Sequence, residues 1–144
     1  MSDIAITATS VLFSANAKLA TGIAGETITA GQTLYLSSTD NRLYKADANA
    51  SPATADCVGV SAHGAAAGQP LIYGYEDPNF TPGGTLSLSV AADSGVYVLS
   101  GTAGGIAPMD DLAAGMYPCV LGVAYSTTKM ALKIVKQTAA VLAS

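Results

Sequence analysis

The chain has 144 residues, a formal net charge of −4 and only 11% charged side chains. That length suits one domain able to bury roughly 70% of its unfolded surface, so no metal or disulfide is required to hold it together. The six basic residues, Lys18, Arg42, Lys45, Lys129, Lys133 and Lys136, make no dense patch. This excludes direct nucleic-acid binding, and no apolar run approaches the ~18 residues of a spanning helix, which excludes a helical membrane protein.

Residues 1–23 differ in character from the rest of the chain. Ile4 to Thr9 alternates weakly, Val11-Leu12-Phe13 is a compact apolar cluster, and Ser14 to Gly22 is small and polar. The segment reads as an extended N-terminal arm with Val11, Leu12 and Phe13 as its anchor, packed on a partner or on the edge of its own domain, because an apolar strand edge invites pairing. An ordinary first strand is the competing reading. The arm reading predicts that a chain lacking residues 1–20 still folds. Met1 to Ile4 lacks the basic region and continuous apolar core of a signal peptide, which predicts synthesis in the cytosol.

Residues 24–136 read as an all-β domain, a compact antiparallel barrel or sandwich. Thr27–Thr29, Thr33–Ser37, Arg42–Lys45, Cys57–Ser61 and Pro70–Tyr73 alternate apolar and polar residues between Gly, Asn, Asp and Pro, the pattern of half-buried strands. Asp77-Pro78 and Pro82-Gly83-Gly84 are turn signals and place a seam between two half-units, about 24–76 and 84–136. Leu86 to Val90 and Val96 to Leu99 read as a hairpin around Asp93-Ser94-Gly95. Residues 100–118 read as an insertion with a helical turn over Asp110 to Ala114. Cys119–Tyr125 and 129–136 are strands, and 137–144 is a small-residue tail.

One β-unit is expected to be used twice. Gly31–Ser37 is similar to Gly84–Ser89, Leu43–Ala46 to Val96–Leu99, and Cys57–Ala62 to Cys119–Ala124. The spacing is unequal, with about ten extra residues assigned to the second copy. Cys57 and Cys119 are expected to be buried thiols rather than a disulfide.

The order Ala24-Gly25-Glu26-Thr27-Ile28-Thr29-Ala30-Gly31-Gln32, Leu43-Tyr44-Lys45-Ala46-Asp47-Ala48, Val58-Gly59-Val60 and Ala65-Ala66-Ala67-Gly68-Gln69-Pro70 resembles capsid decoration (cement) proteins of tailed bacteriophages. Thr102 to Pro108 and Val120 to Ala124 resemble them too, as does the Val11–Phe13 arm. The resemblance implies a structural virion protein on the capsid exterior, made in the host cytoplasm. Its implied partners are the major capsid protein, whose neighbouring subunits it clamps, and itself as a homodimer or homotrimer. It implies no enzyme activity and no cofactor, and it transfers no site residues; Val11, Leu12 and Phe13 are the residues the sequence offers for contact with the capsid or another partner.

The residues themselves give little support to catalysis. His63 is the only histidine, in a loop beside Gly64, and one His with two Cys is a poor metal-ligand set. Asp110-Asp111 would point to opposite faces of a strand. Gly101-Thr102-Ala103-Gly104-Gly105 has the composition of an anion nest but lacks the Lys-Ser/Thr of a phosphate loop. The alternative function is adhesion: a head or tail module binding host glycans on an aromatic platform of Tyr73, Tyr75 and Phe80.

Overall fold

A computed structural model describes residues 3–49, 54–86, 95–108, 117 and 119–136. The fold is all-β. Among the described residues, nine strands follow a short 3-10 turn at Ala8–Ser10: β1 (Lys18–Ile23), β2 (Thr33–Leu36), β3 (Leu43–Lys45), β4 (Cys57–Ser61), β5 (Pro70–Phe80), β6 (Val96–Leu99), β7 (Ile106–Pro108), β8 (Cys119–Ala124) and β9 (Met130–Lys136). They form one antiparallel sheet in the order β3-β2-β4-β5-β9-β8-β6-β7, with β1 paired to β5. The sheet curls until a bridge between Ala24 and Leu43 brings the start of β3 against the end of β1.

The sheet is built twice from one unit. Between β2 and β4, Thr33 faces Val60, Leu34 faces Gly59 and Tyr35 faces Cys57. Between β6 and β8, Val96 faces Val123, Tyr97 faces Gly122 and Val98 faces Val120. Each number in the second set is 63 higher than its counterpart in the first. The hairpins keep that offset: Leu34–Lys45, Tyr35–Tyr44 and Leu36–Leu43 against Tyr97–Pro108, Val98–Ala107 and Leu99–Ile106. Even the bulge recurs, between Leu34 and Tyr35 and between Tyr97 and Val98. A bulge bends and twists a strand locally, so repeating it curls both units at one place.

This corrects the repeat expected from the sequence. The strand Val96–Leu99 takes the place of Thr33–Leu36, not of Leu43–Ala46. The extra residues lie in the first copy: Val60 and Ser61 face Gly74 and Tyr73, whereas Val123 and Ala124 face Ala131 and Met130, so the chain between matched paired positions is six residues longer in the first copy. Cys57 is equivalent to Val120, and the two cysteines miss equivalence by one position.

Two further expectations change. β6 pairs on one edge with β7 and on the other with β8, so its hairpin partner is Ile106–Pro108, not Leu86–Val90. Asp77-Pro78 does not end a strand; β5 runs through it to Phe80. Pro78 is exposed, the β5–β9 ladder slips between Asp77 and Phe80, and a proline without an N–H is tolerated at such a bulge. Thr27–Thr29 is reduced to a single bridge, Ile28 to Ala65. The helical turn over Asp110–Ala114, most of the Leu86–Val90 strand and the tail 137–144 lie outside the described residues.

The apolar interior has two parts. Ala24, Ile28, Leu34, Leu43, Ala65 and Leu71 fill the first unit. A larger cluster includes Val60, Phe80, Tyr97, Leu99, Ile106, Leu121, Met130 and Leu132 and spans both units. The Gly-rich loop after β6 joins them as well: Thr33 N–H donates to the Gly104 carbonyl at 3.1 Å, and Gly104 N–H donates to the Ala46 carbonyl at 2.8 Å.

Candidate interaction surface

The N-terminal arm lies along its own domain. Ile4 N–H donates to the Ile106 carbonyl, Thr7 N–H to the Gly83 carbonyl, and Leu12 and Thr81 exchange both backbone hydrogen bonds. The Leu43 carbonyl, equivalent to that of Ile106, accepts from Gly25 N–H. Ile4 therefore supplies from the start of the chain, in the second unit, the bond that Gly25 supplies locally in the first. From Leu12 onward the arm runs antiparallel to β5, and it becomes β1 at Lys18.

The three anchor residues separate. Val11 is buried against the larger cluster. The Phe13 ring stacks on Phe80 with centroids 4.5 Å apart and covers Gly74. Leu12 is 63% exposed. Of the two placements expected for the arm, on a partner or on its own domain, Val11 and Phe13 take the second, because Gly74 leaves a ring-sized space beside Phe80, and Leu12 alone of the three points outward. A chain lacking residues 1–20 would leave the space filled by Val11 and Phe13 empty.

A buried carboxylate fixes the arm. Asp77 is fully buried and accepts hydrogen bonds from Ser14 N–H at 2.7 Å, from the Ser14 hydroxyl and from Asn79 N–H at 2.9 Å. Asp77→Ala leaves the part-buried N–H groups of Ser14 and Asn79 without this acceptor, and hydrogen bonds to a charged group contribute about 1.5–3 kcal/mol each. We expect urea unfolding to show a loss of about 3 kcal/mol, with Ser14→Ala losing less because Ser14 N–H keeps its acceptor.

Beyond Leu12, the exposed large apolar side chains of the first unit include Leu19 (50%), Ile23 (38%) and Ile72 (38%). Leu19, Thr21 and Ile23 alternate outward along β1, and Thr21 sits opposite Ile72. On the second unit Val123 and Tyr125 are exposed, and the Tyr125 hydroxyl donates to Asn79 Oδ1. The aromatic platform expected for glycan binding does not assemble: Phe80 is in the core, while Tyr75 is exposed.

His63 is committed to the backbone. Its Nε2 accepts from Ile72 N–H at 3.1 Å, and its Nδ1 lies 2.8 Å from the Gly64 carbonyl, which requires the proton on Nδ1. The Gly101–Gly105 loop is also internally bonded: Thr102 N–H donates to Ser100 Oγ and Gly105 N–H to the Thr102 carbonyl, so these amides are not turned toward an anion. No group of three or more His, Cys, Asp and Glu side chains suited to a metal occurs among the described residues, and no helix among them is long and apolar enough to cross a membrane.

Cys57 and Cys119 are buried, and neither forms a disulfide. The neighbouring Cys119 thiol, followed by burial itself, holds the Cys57 thiol well above its ordinary value of 9.0. The folded state then favours the neutral thiol. This contribution is fully present below about pH 9 and is lost as pH rises toward the raised value. Thermal unfolding should therefore show stability falling above pH 9 by up to about 1.4 kcal/mol per pH unit for one group, and Cys57→Ala/Cys119→Ala should flatten that slope. Desolvation of Tyr73 acts in the same direction above 10.

No family model matches this chain, and no curated protein matches it.

Proposed function

We propose that this chain is a capsid decoration protein of a tailed bacteriophage, binding the outer surface of the head and holding neighbouring major capsid subunits together. The observation that carries the reading is the resemblance along Ala24–Gln32, Leu43–Ala48, Val58–Val60 and Ala65–Pro70 to that group. The duplicated all-β body adds support: it is braced by backbone pairing from its arm to its last strand, and it leaves isolated apolar side chains on a surface with few charges. A shell contact needs a rigid body repeated many times, and weak individual contacts become strong when multiplied across a lattice.

On this reading Leu12 is the arm's outward contact, and Val11 and Phe13 hold the arm in place beneath it. The test uses purified protein added to expanded heads that lack a decoration protein, followed by sedimentation and densitometry. Saturable binding at a fixed ratio to the major capsid protein is expected. Leu12→Asp should weaken it at least tenfold while leaving the melting temperature unchanged. Failure to co-sediment with any head form would overturn the reading. The glycan-binding alternative is weaker, because Phe80 packs inside rather than joining Tyr73 and Tyr75 on the surface.

A further inference from the structure

We infer that β1 is a self-association edge at which two copies of this chain pair antiparallel about a two-fold axis, extending the sheet from one copy into the other. β1 is bonded to β5 on one side. Its other side is met by β3 only from Ala24 onward, where the bridge to Leu43 begins. Between Lys18 and Gly22 the outer edge has no strand beside it among the described residues.

Edges of this kind are usually protected by inward-pointing or central charges, by proline or by a covering loop. The stretch Leu19-Ala20-Thr21-Gly22-Ile23 has no charge and no proline. The single charge on β1, Lys18, sits at its first position and is paired with Glu76 of the same chain at 3.5 Å. The other exposed strand ends are treated differently: Ile4 bonds to the edge of β7, which ends in Pro108, and the Glu26 carboxylate accepts from Lys45 N–H on β3.

The occupant that fits is a second β1. A two-fold axis through Ala20 places Leu19 of one copy opposite Thr21 of the other and Lys18 opposite Gly22, and it stops short of Ala24, which Leu43 already occupies. Residues opposed in this way share a face, so the exposed Leu19 and Ile23 of each copy, with Ile72 alongside, form one apolar strip across the junction. Ala20 at the centre and Gly22 let the backbones approach. No like charges meet: each Lys18 lies opposite a glycine. For a chain of net charge −4, this uncharged edge is a place where two copies come together without repulsion between carboxylates.

The contact is small. A five-residue strand pair with a narrow apolar strip falls below the ~1,200 Å² of a standard stable interface, which sets the expected dissociation constant in the micromolar range. The inference builds on the homo-oligomer half of the proposed function and selects the dimer over the trimer, because a two-fold edge pair is complete with two chains.

The test is sedimentation equilibrium of the full chain in solution across the micromolar range, without heads, so its outcome is separate from that of head binding. A monomer–dimer equilibrium is expected. Leu19→Lys should raise the dissociation constant at least tenfold with an unchanged melting temperature. Val123→Lys, on the exposed face of the second unit, should leave it within twofold. A chain that stays monomeric throughout, a trimer, or a Leu19→Lys variant that dimerises as well as the parent would each overturn the inference.

Discussion

Phe13→Ala is expected to destabilise the fold by about 3 kcal/mol, the low end for removing a large aromatic side chain, since Phe13 keeps part of its surface in water. The ring stacks on the buried Phe80, so its loss opens a cavity over β5 and frees the arm between its anchors at Leu12 and Ser14. Gly74 makes the result specific. A Cβ on Gly74 would stand 2.2 to 2.8 Å from three atoms of the Phe13 ring, so Gly74→Ala should by itself displace the ring and cost about 2 kcal/mol. In the double variant the methyl group enters the space the ring has left. The two costs should therefore fall short of additivity by about 1–2 kcal/mol, the size typical of residues in direct contact. Urea unfolding of the four proteins measures this; strict additivity would mean that Phe13 does not rest on Gly74.

The largest effect of a single methyl group is expected at Gly122. Its Cβ would lie 2.1 Å from the Ala131 carbonyl oxygen, a backbone atom of the adjacent strand. That atom cannot rotate away as a side chain can, so β8 and β9 must separate where they pair Val123 with Ala131 and Gly122 with Leu132. Gly122→Ala should cost about 3 kcal/mol or more. Gly64→Ala is the matched control: its nearest neighbour, the Ile28 carbonyl, is 3.5 Å from the added Cβ, an ordinary contact, and stability should change by less than about 0.5 kcal/mol. Gly59, the equivalent of Gly122 in the first unit, is crowded by the Tyr73 ring and by the Gly74 carbonyl at 2.8 Å. Both units thus place glycine beside the bulge for one reason, close approach of a neighbouring strand.

That shared glycine illustrates what could be read from the chain and what could not. Gly59-Val60 and Gly122-Val123 are identical pairs, and they put the strands Cys57–Ser61 and Cys119–Ala124 in correspondence before any coordinates. The hairpin of Thr33–Leu36 with Leu43–Lys45 was also legible, since alternation flanks a turn at Asp40-Asn41, where Asn41 takes a positive φ of 59°. The matching hairpin in the second unit was hidden. Tyr97 stands for Leu34, Val98 for Tyr35 and Pro108 for Lys45, and no chemistry in those substitutions reveals the 63-residue offset. The backbone ladder keeps its geometry while side chains of quite different volume occupy equivalent positions.

β1 was unreadable for a related reason. Lys18-Leu19-Ala20-Thr21-Gly22-Ile23 is weak in strand formers, and it is extended because β5 offers a full edge to pair with. β5 in turn runs through Asp77-Pro78, a strong turn signal locally, because the buried Asp77 carboxylate gathers donors from Ser14 and Asn79.

By itself the sequence determined the all-β class, the use of one unit twice and the burial of both cysteines, since each arises from local alternation, spacing or the apolar character of a thiol. Only the tertiary structure decided that the arm closes its own second unit, that Val11 and Phe13 face inward while Leu12 faces out, and that the stretch Leu19–Gly22 of β1 has one edge with no strand beside it among the described residues. Those outcomes depend on which distant backbone groups remain unpaired and where a glycine leaves room for a ring, and neither property is written in any one stretch of the chain.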